Sequence, residues 1–233
     1  MPAATTPITS LIDRCQRRVS DTTTDIMSSA NWLATFNTVQ HEILNDLIFE
    51  KAYPLIDDLH DYVEITMVVD QEEYDWKTAI DNAAKYFYSF MKATWGDYEV
   101  REMSIMQYND LLNGRLTADI YNPRMIFWSG GKFRLQPKPK DTTDTFYFYF
   151  IKELTDAIAT SDKPILNEIC VPLFVPKMCA VYWRRRKRFD LALVEDNENM
   201  RKPGNYQSMR KRIVKPYKKY SLKRVMSTDV VVG

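Results

Sequence analysis

The stretch GGKFRLQPKP, Gly130 to Pro139, decides how the middle of this chain is read. Phe133 and Leu135 alternate with Lys132, Arg134 and Gln136, the period of a half-buried strand, and the glycine pair before them is a turn signal. Pro137 and Pro139 then remove two backbone donors, so the strand must stop there or lie at a sheet edge. The stretch therefore reads as one arm of a hairpin that ends abruptly.

Outward from this hairpin the sequence stays strand-like. RMIFWS before the glycines supplies the partner arm, joined through Ser129-Gly130-Gly131, and DTFYFYFIK supplies a third strand close behind, for which a meander is the economical topology. Further upstream YVEITMVV, from Tyr62, is rich in β-branched residues, and KYFYSFMK and YEVREMS alternate or nearly so. KTAIDNAA between them fits a short helix or a turn equally. SIMQYNDLLNG has Ser104 ahead of an apolar-periodic run and a glycine after it, the start and stop signals of a small helix.

Helices flank this centre. Ile8, Leu11, Ile12, Cys15 and Val19 recur at helical spacing after Pro7. Ser28 or Ser29 can cap a second helix with the stripe Trp32, Phe36, Val39, Ile43 and Leu47, which should end near Tyr53-Pro54. Past Lys152 the chain is expected to turn helical again. Pro164 to Arg188 carries a stripe broken by Pro172 and Pro176, then come Phe189, Leu191, Leu193 and Val194, then YQSMRKRIV. KPYKKYSLKRVMSTDVVVG lacks a helical stripe and reads as extended. The expectation is an α+β fold: one helical bundle from the helices of residues 1–58 and 154–214, an inserted antiparallel β-rich module at 59–153, and an extended basic arm at 215–233.

The net charge of +1 conceals two electrically opposite parts. Residues 184–224 hold fifteen Lys/Arg against four Asp/Glu, and the rest of the chain holds seventeen against twenty-seven. Such asymmetry points to an acidic partner, nucleic acid or protein. Cys15, Cys170 and Cys179 fit no zinc spacing and read as reduced thiols used for packing in an intracellular protein. No apolar run reaches the roughly 18 residues of a membrane span, and MPAATTPITSLIDRC has neither a basic start nor an apolar signal region, so no membrane and no secretory route are expected.

Candidate chemistry is sparse. His41 and His60 stand apart from any ligand set and read as structural. Asp21 and Asp25 in DTTTD lack the further ligands and glycine turn of a calcium loop and read as a polar connector. Asp57-Asp58 and Glu72-Glu73 read as charged surface runs. Neither a phosphate-cradling loop nor a serine elbow is present, so the chain is expected to be no enzyme and to hold no cofactor. The basic clusters interleave with Tyr182, Trp183, Tyr206, Tyr217 and Tyr220. Three readings stay open for them: gripping nucleic acid, a solvated face with a flexible tail, or docking on an acidic protein.

The order of the pieces resembles the head-to-tail adaptor (neck or connector) proteins of tailed phages. The resemblance spans roughly residues 8 to 200: the first helix in LIDRCQRRVSDTTTD, the second in ANWLATFNTVQHEIL with Trp32 and Asn37, the tyrosine turn VVDQEEYDW, the strand pair and P-x-P of NPRMIFWSGGKFRLQPKPKDTTDTFYFYFIK, and LTDAIATSDKPIL before a final helix. It implies a virion structural protein, assembled in the host cytoplasm. It also implies a homo-oligomeric ring, twelvefold, beneath the portal, a further neck or tail protein as second partner, and DNA passing through the channel without sequence readout. Under this reading the arm, with Lys215, Tyr217, Lys218, Lys219, Tyr220, Lys223, Arg224, Val230, Val231 and Val232, reaches the portal, and Arg184, Arg185, Arg186, Lys187 and Arg188 face DNA or an acidic surface. Pro137 and Pro139 are then shape-setting residues that blunt a sheet edge in a crowded ring. The alternative is a nucleic-acid-binding regulator that uses the basic C-terminal region.

Overall fold

A computed structural model describes residues 4–20, 27–119, 121–140, 145–196 and 205–226, with side chains as far as residue 217. The chain divides into two compact units, Met1–Asp58 with Leu154–Gly233, and Leu59–Glu153. Asp21 and Asp25 lie outside the described residues.

The first unit begins with α1 (Ile8–Val19), which buries Ile8, Leu11, Ile12, Cys15 and Val19, and ends where Ser20 adopts a left-handed conformation and returns its N–H to Arg17 and Gln16. Helix α2 (Ser29–Phe49) is capped by the Ser28 hydroxyl, which accepts from the Asn31 N–H, and buries Trp32, Phe36, Val39, Ile43, Leu44 and Leu47. It stops short of Tyr53. The Lys51 and Ala52 N–H groups turn back to the Ile48 and Leu47 carbonyls, and a 3-10 segment, Tyr53–Leu59, follows.

The second unit is a sheet with its own core. Its elements are β1 (His60–Ile65), β2 (Glu73–Asp75), α3 (Trp76–Asn82), β3 (Phe87–Trp95), β4 (Tyr98–Glu102), α4 (Ile105–Leu112), β5 (Arg124–Trp128), β6 (Lys132–Gln136) and β7 (Phe146–Lys152). The strands order as β1-β7-β3-β4-β5-β6-β2 and curl into a half-barrel. Two register shifts in β3, between Phe87 and Ser89 and between Phe90 and Lys92, are the kind of bulge that bends a strand and increases twist. Phe146, Phe148 and Phe150 of β7 point inward with Phe133, Leu135, Met125 and Trp95, while Tyr147 and Tyr149 meet Tyr62 on the other face. Helix α4 opens with a capping box in which Ser104 and Gln107 satisfy each other's backbone N–H.

This architecture corrects the expected fold class. The sheet is seven-stranded, curled and mixed, where a helical bundle carrying an inserted antiparallel β-rich module was expected. β4 and β5 run parallel, with Arg101 opposite Arg124, because α4 carries the chain across between them. The meander fails for a related reason. β2 occupies the free side of β6, with Tyr74 opposite Phe133, so β7 pairs elsewhere, between β1 and β3. Pro137 and Pro139 therefore end an interior strand, and the sheet edges are β1 and β2. The Pro139 carbonyl accepts the Asp70 N–H (2.9 Å), which ties the exit of β6 to the loop before β2.

The β1 edge is blunted by Lys85, whose ammonium donates to the Tyr62 carbonyl (2.6 Å) and to Asp61 (2.7 Å). Burial pushes the Asp61 carboxyl up, but the hydrogen bonds from Lys85 and the Tyr62 N–H outweigh it and hold the group below its usual range. A carboxyl lowered in the folded state stabilises above its unfolded value, about pH 4, and that contribution is lost as pH falls through the folded value. Lys85→Met is expected to flatten the fall in urea midpoint of the sheet unit below about pH 4; an unchanged acid limb contradicts the assignment.

The glycine pair gives a second expected outcome. Gly130 and Gly131 both have positive φ, 77° and 80°. A Cβ on Gly131 would sit 2.5 Å from the Lys77 Cβ, whereas one on Gly130 meets nothing within 4 Å. Gly131→Ala should cost about 2–3 kcal/mol and Gly130→Ala about 1, measured as paired urea transitions.

The chain returns to the first unit at Leu154. Residues 154–167, expected to be helical, are instead laced to α2: Asn37 exchanges hydrogen bonds with both backbone groups of Ala157 (3.0 and 3.1 Å), and Gln40 accepts the Ile165 N–H. After a 3-10 turn at Glu168–Cys170 comes α5 (Val171–Arg185), buried on almost every side, against which α1, α2, α6 (Phe189–Asp196) and α7 (Tyr206–Met226) pack. The extended arm is a further correction, since α7 runs through Lys215 to Met226. Its Lys, Arg, Met and Leu residues are good helix formers, so the missing apolar stripe does not mean a lack of helical propensity.

Candidate partner-binding surfaces

The described cations of the C-terminal region fall into two patches. Trp32 stacks on Tyr182 (5.6 Å between ring centroids) and Glu42 pairs with Lys177 (3.2 Å), so α2 and α5 run antiparallel. This sets Arg184–Arg188 beyond the Trp32 end of α2. α7 starts at the other end, where Tyr206 donates to Asp46 and Arg210 reaches Asp46 (3.1 Å) and Glu50 (3.3 Å). Fourteen residues of α2 separate Trp32 from Asp46, about 21 Å of helix.

In the first patch all five side chains are exposed, but three are engaged. Arg184 pairs with Asp196, Arg188 with Asp190 (3.2 Å), and Arg186 lies against the Tyr182 ring and donates to its hydroxyl. The Arg185 and Lys187 side chains make no ion pair among the described residues, and Phe189 and Leu193 stand exposed beside the turn. The run is thus a small surface with two free cations and an apolar flank.

The second patch is α7, with eight Lys/Arg and no Asp/Glu. Its root is fixed by residues that the sequence marked only as members of a basic, aromatic-bearing helix, Tyr206 and Arg210 among them, and by Asn205 and Lys177, which it did not mark. Tyr206 and Val214 are buried, Arg210 is held by two carboxylates, and the Asn205 side chain caps the helix through the Ser208 N–H (2.9 Å). Lys177 is nine-tenths buried between Glu42, Asp196 and the Tyr206 ring. Burial, then the Asp46 hydrogen bond, pushes the Tyr206 phenol far up, so it remains a donor at any ordinary pH. The legible signal was Lys177 itself, a charge amid an apolar run.

Of the arm residues, Lys215 is exposed and Tyr217 half-buried. Lys218, Lys219, Tyr220, Lys223 and Arg224 lie in the last turns of α7, and Val230, Val231 and Val232 lie outside the described residues. Helical spacing sets positions 211, 212, 215, 218, 219 and 223 along one side of α7, opposite the side that carries Tyr206, Arg210 and Val214.

Elsewhere, His41 sits 3.1 Å from Asp156, a tie between α2 and the 154–167 segment. Glu72 and Glu73 are more than surface charges: Glu73 joins Lys132 (2.8 Å) and Arg134 (3.3 Å), and Glu72 accepts from Tyr108. Arg134 in turn lies 4.0 Å from the Trp128 ring centre, so these pairs bind β2 to the β5–β6 hairpin. Among the described residues no group of three His, Cys, Asp or Glu is placed to hold a metal ion, and no helix is long and apolar enough to cross a membrane. Compared with known proteins, the sequence matches no family model and no curated relative.

Proposed function

We propose that this chain is a virion structural protein, a head-to-tail adaptor subunit that closes into a ring beneath the portal of a tailed phage and links capsid to tail. The observation that carries the reading is the pair of cationic surfaces at opposite ends of α2, one of them a helix of single charge sign with a buried root. A subunit placed between two neighbours needs a docking surface toward each, and heterologous contacts between copies close the ring. On this reading α7 reaches the portal, and Arg185 and Lys187 meet channel DNA or an acidic neighbour.

The residues that carry the resemblance also support it. Trp32 stacks in the helical core, Asn37 ties down Ala157, the Tyr74 hydroxyl lies 3.1 Å from the Val68 and Gln71 carbonyls, Pro139 receives the Asp70 N–H, and Asp162 accepts from Ile158 and Ala159. Each holds a loop or a helix in place, as residues of a fold-defining pattern would.

The single charge sign of α7 also favours a second reading, a nucleic-acid-binding regulator, because neutralising phosphates needs cations in a row. Salt separates the two. The adaptor reading expects weak or no binding of duplex DNA by the isolated chain, and rings that form when purified portal is added. The regulator expects portal-independent DNA binding that weakens by about 10³-fold or more between 50 and 200 mM salt.

A further inference from the structure

The Sγ atoms of Cys15 on α1 and Cys179 on α5 face each other 2.9 Å apart, at positions 164 residues distant in sequence. Both side chains are fully buried, and both cysteines are free thiols. A disulfide needs its sulfurs at about 2.05 Å, so closing the pair asks for less than 1 Å of sulfur movement, within reach of side-chain rotation. Cys170, also buried, stands at the start of α5.

We propose that Cys15 and Cys179 are an oxidation site that converts the α1–α5 contact into a covalent cross-link. The inference is independent of the adaptor reading. The two thiols lose their protons, one Sγ–Sγ bond forms, and two electrons pass to the oxidant, either a peroxide reduced to water or a small-molecule disulfide reduced to two thiols. A reducing cytosol keeps the pair open; transfer to an oxidising medium closes it. Burial raises the Cys15 thiol and withholds the thiolate, so closure waits on a transient opening of α1. That opening must break the α1 ties, among them Arg18 with Glu195 and the Ile8 N–H to the Asp162 carbonyl. Once formed, the bond bridges a loop of 164 residues, and long loops give large stabilisation in the chain-entropy account.

The test exposes the full chain to oxidised glutathione, natively and during refolding from urea, then counts thiols in denaturant and maps the cross-linked peptides. The expected result is a fall from three titratable thiols to one, a Cys15–Cys179 peptide, and a rise of about 10 °C in the melting temperature of the helical unit. Cys170→Ser should still lose two thiols and Cys179→Ser should not form the peptide. Three thiols persisting after oxidative refolding, a cross-link through Cys170, or a lowered melting temperature in the cross-linked protein overturns the proposal.

Discussion

If the adaptor reading holds, cutting the chain after Val214 is expected to lower its apparent affinity for the portal by at least about 100-fold while the helical unit stays folded. The cut keeps Tyr206, Arg210 and Val214, which seat the first half of α7 on the rest of the unit, and removes Lys215, Lys218, Lys219, Lys223 and Arg224. Each lost contact is modest, but the proposed ring would engage through many copies at once, so small losses per subunit would multiply. Thermal unfolding should shift by no more than about 2 °C, because no described buried side chain is removed. A full-length variant with these five residues changed to Gln separates charge from helix length and should lose most of the same affinity. Docking that is indifferent to both changes would falsify the assignment of α7 as the docking element.

Phe148→Ala should produce the largest stability loss in the sheet unit, about 3–5 kcal/mol. Phe148 is fully buried at the centre of β7, stacked 5.4 Å from Trp76 and ringed by Phe90 (5.1 Å), Phe127 (6.2 Å), Phe133 (6.3 Å) and Phe87 (6.4 Å). These neighbouring rings come from three strands, β3, β5 and β6, and from α3, so a cavity there leaves no single element free to collapse into it. The same substitution at Tyr149, on the opposite face, should cost less than about 1.5 kcal/mol. Urea transitions of the two variants provide the comparison; equal losses would mean that the aromatic layer is not the core of this unit.

Local pattern made part of this structure legible. The stripe from Ile8 to Val19, a serine cap of α2 at Ser28 or Ser29, the start of α4 at Ser104 and the alternation of Phe133 with Leu135 each needed only a few consecutive residues. What escaped depends on distant pairing. β7 lies beside β1 through His60 and Ile151, ninety-one positions apart, and local alternation carries no information about that partner. The 154–167 segment reads as helix by composition, yet Asn37 and Gln40 satisfy its backbone groups from another element. For α7 the rule of an apolar stripe misleads, because residues of good helical propensity form the helix without one.

The surfaces were legible as charge but not as geometry. Composition located the excess of Lys/Arg between 184 and 224 as one basic region. The antiparallel course of α2 and α5 divides its described cations into two patches, and the carboxylates of Asp190 and Asp196 engage part of the Arg184–Arg188 run. Sequence gives the number of cations, and packing decides which remain available to a partner.

The most direct measurement is electron imaging of the full chain mixed with purified portal. The adaptor reading predicts a closed ring of copies seated against the portal, with α7 at the contact. Separate particles, or a chain that binds duplex DNA in preference to the portal at physiological salt, would contradict it.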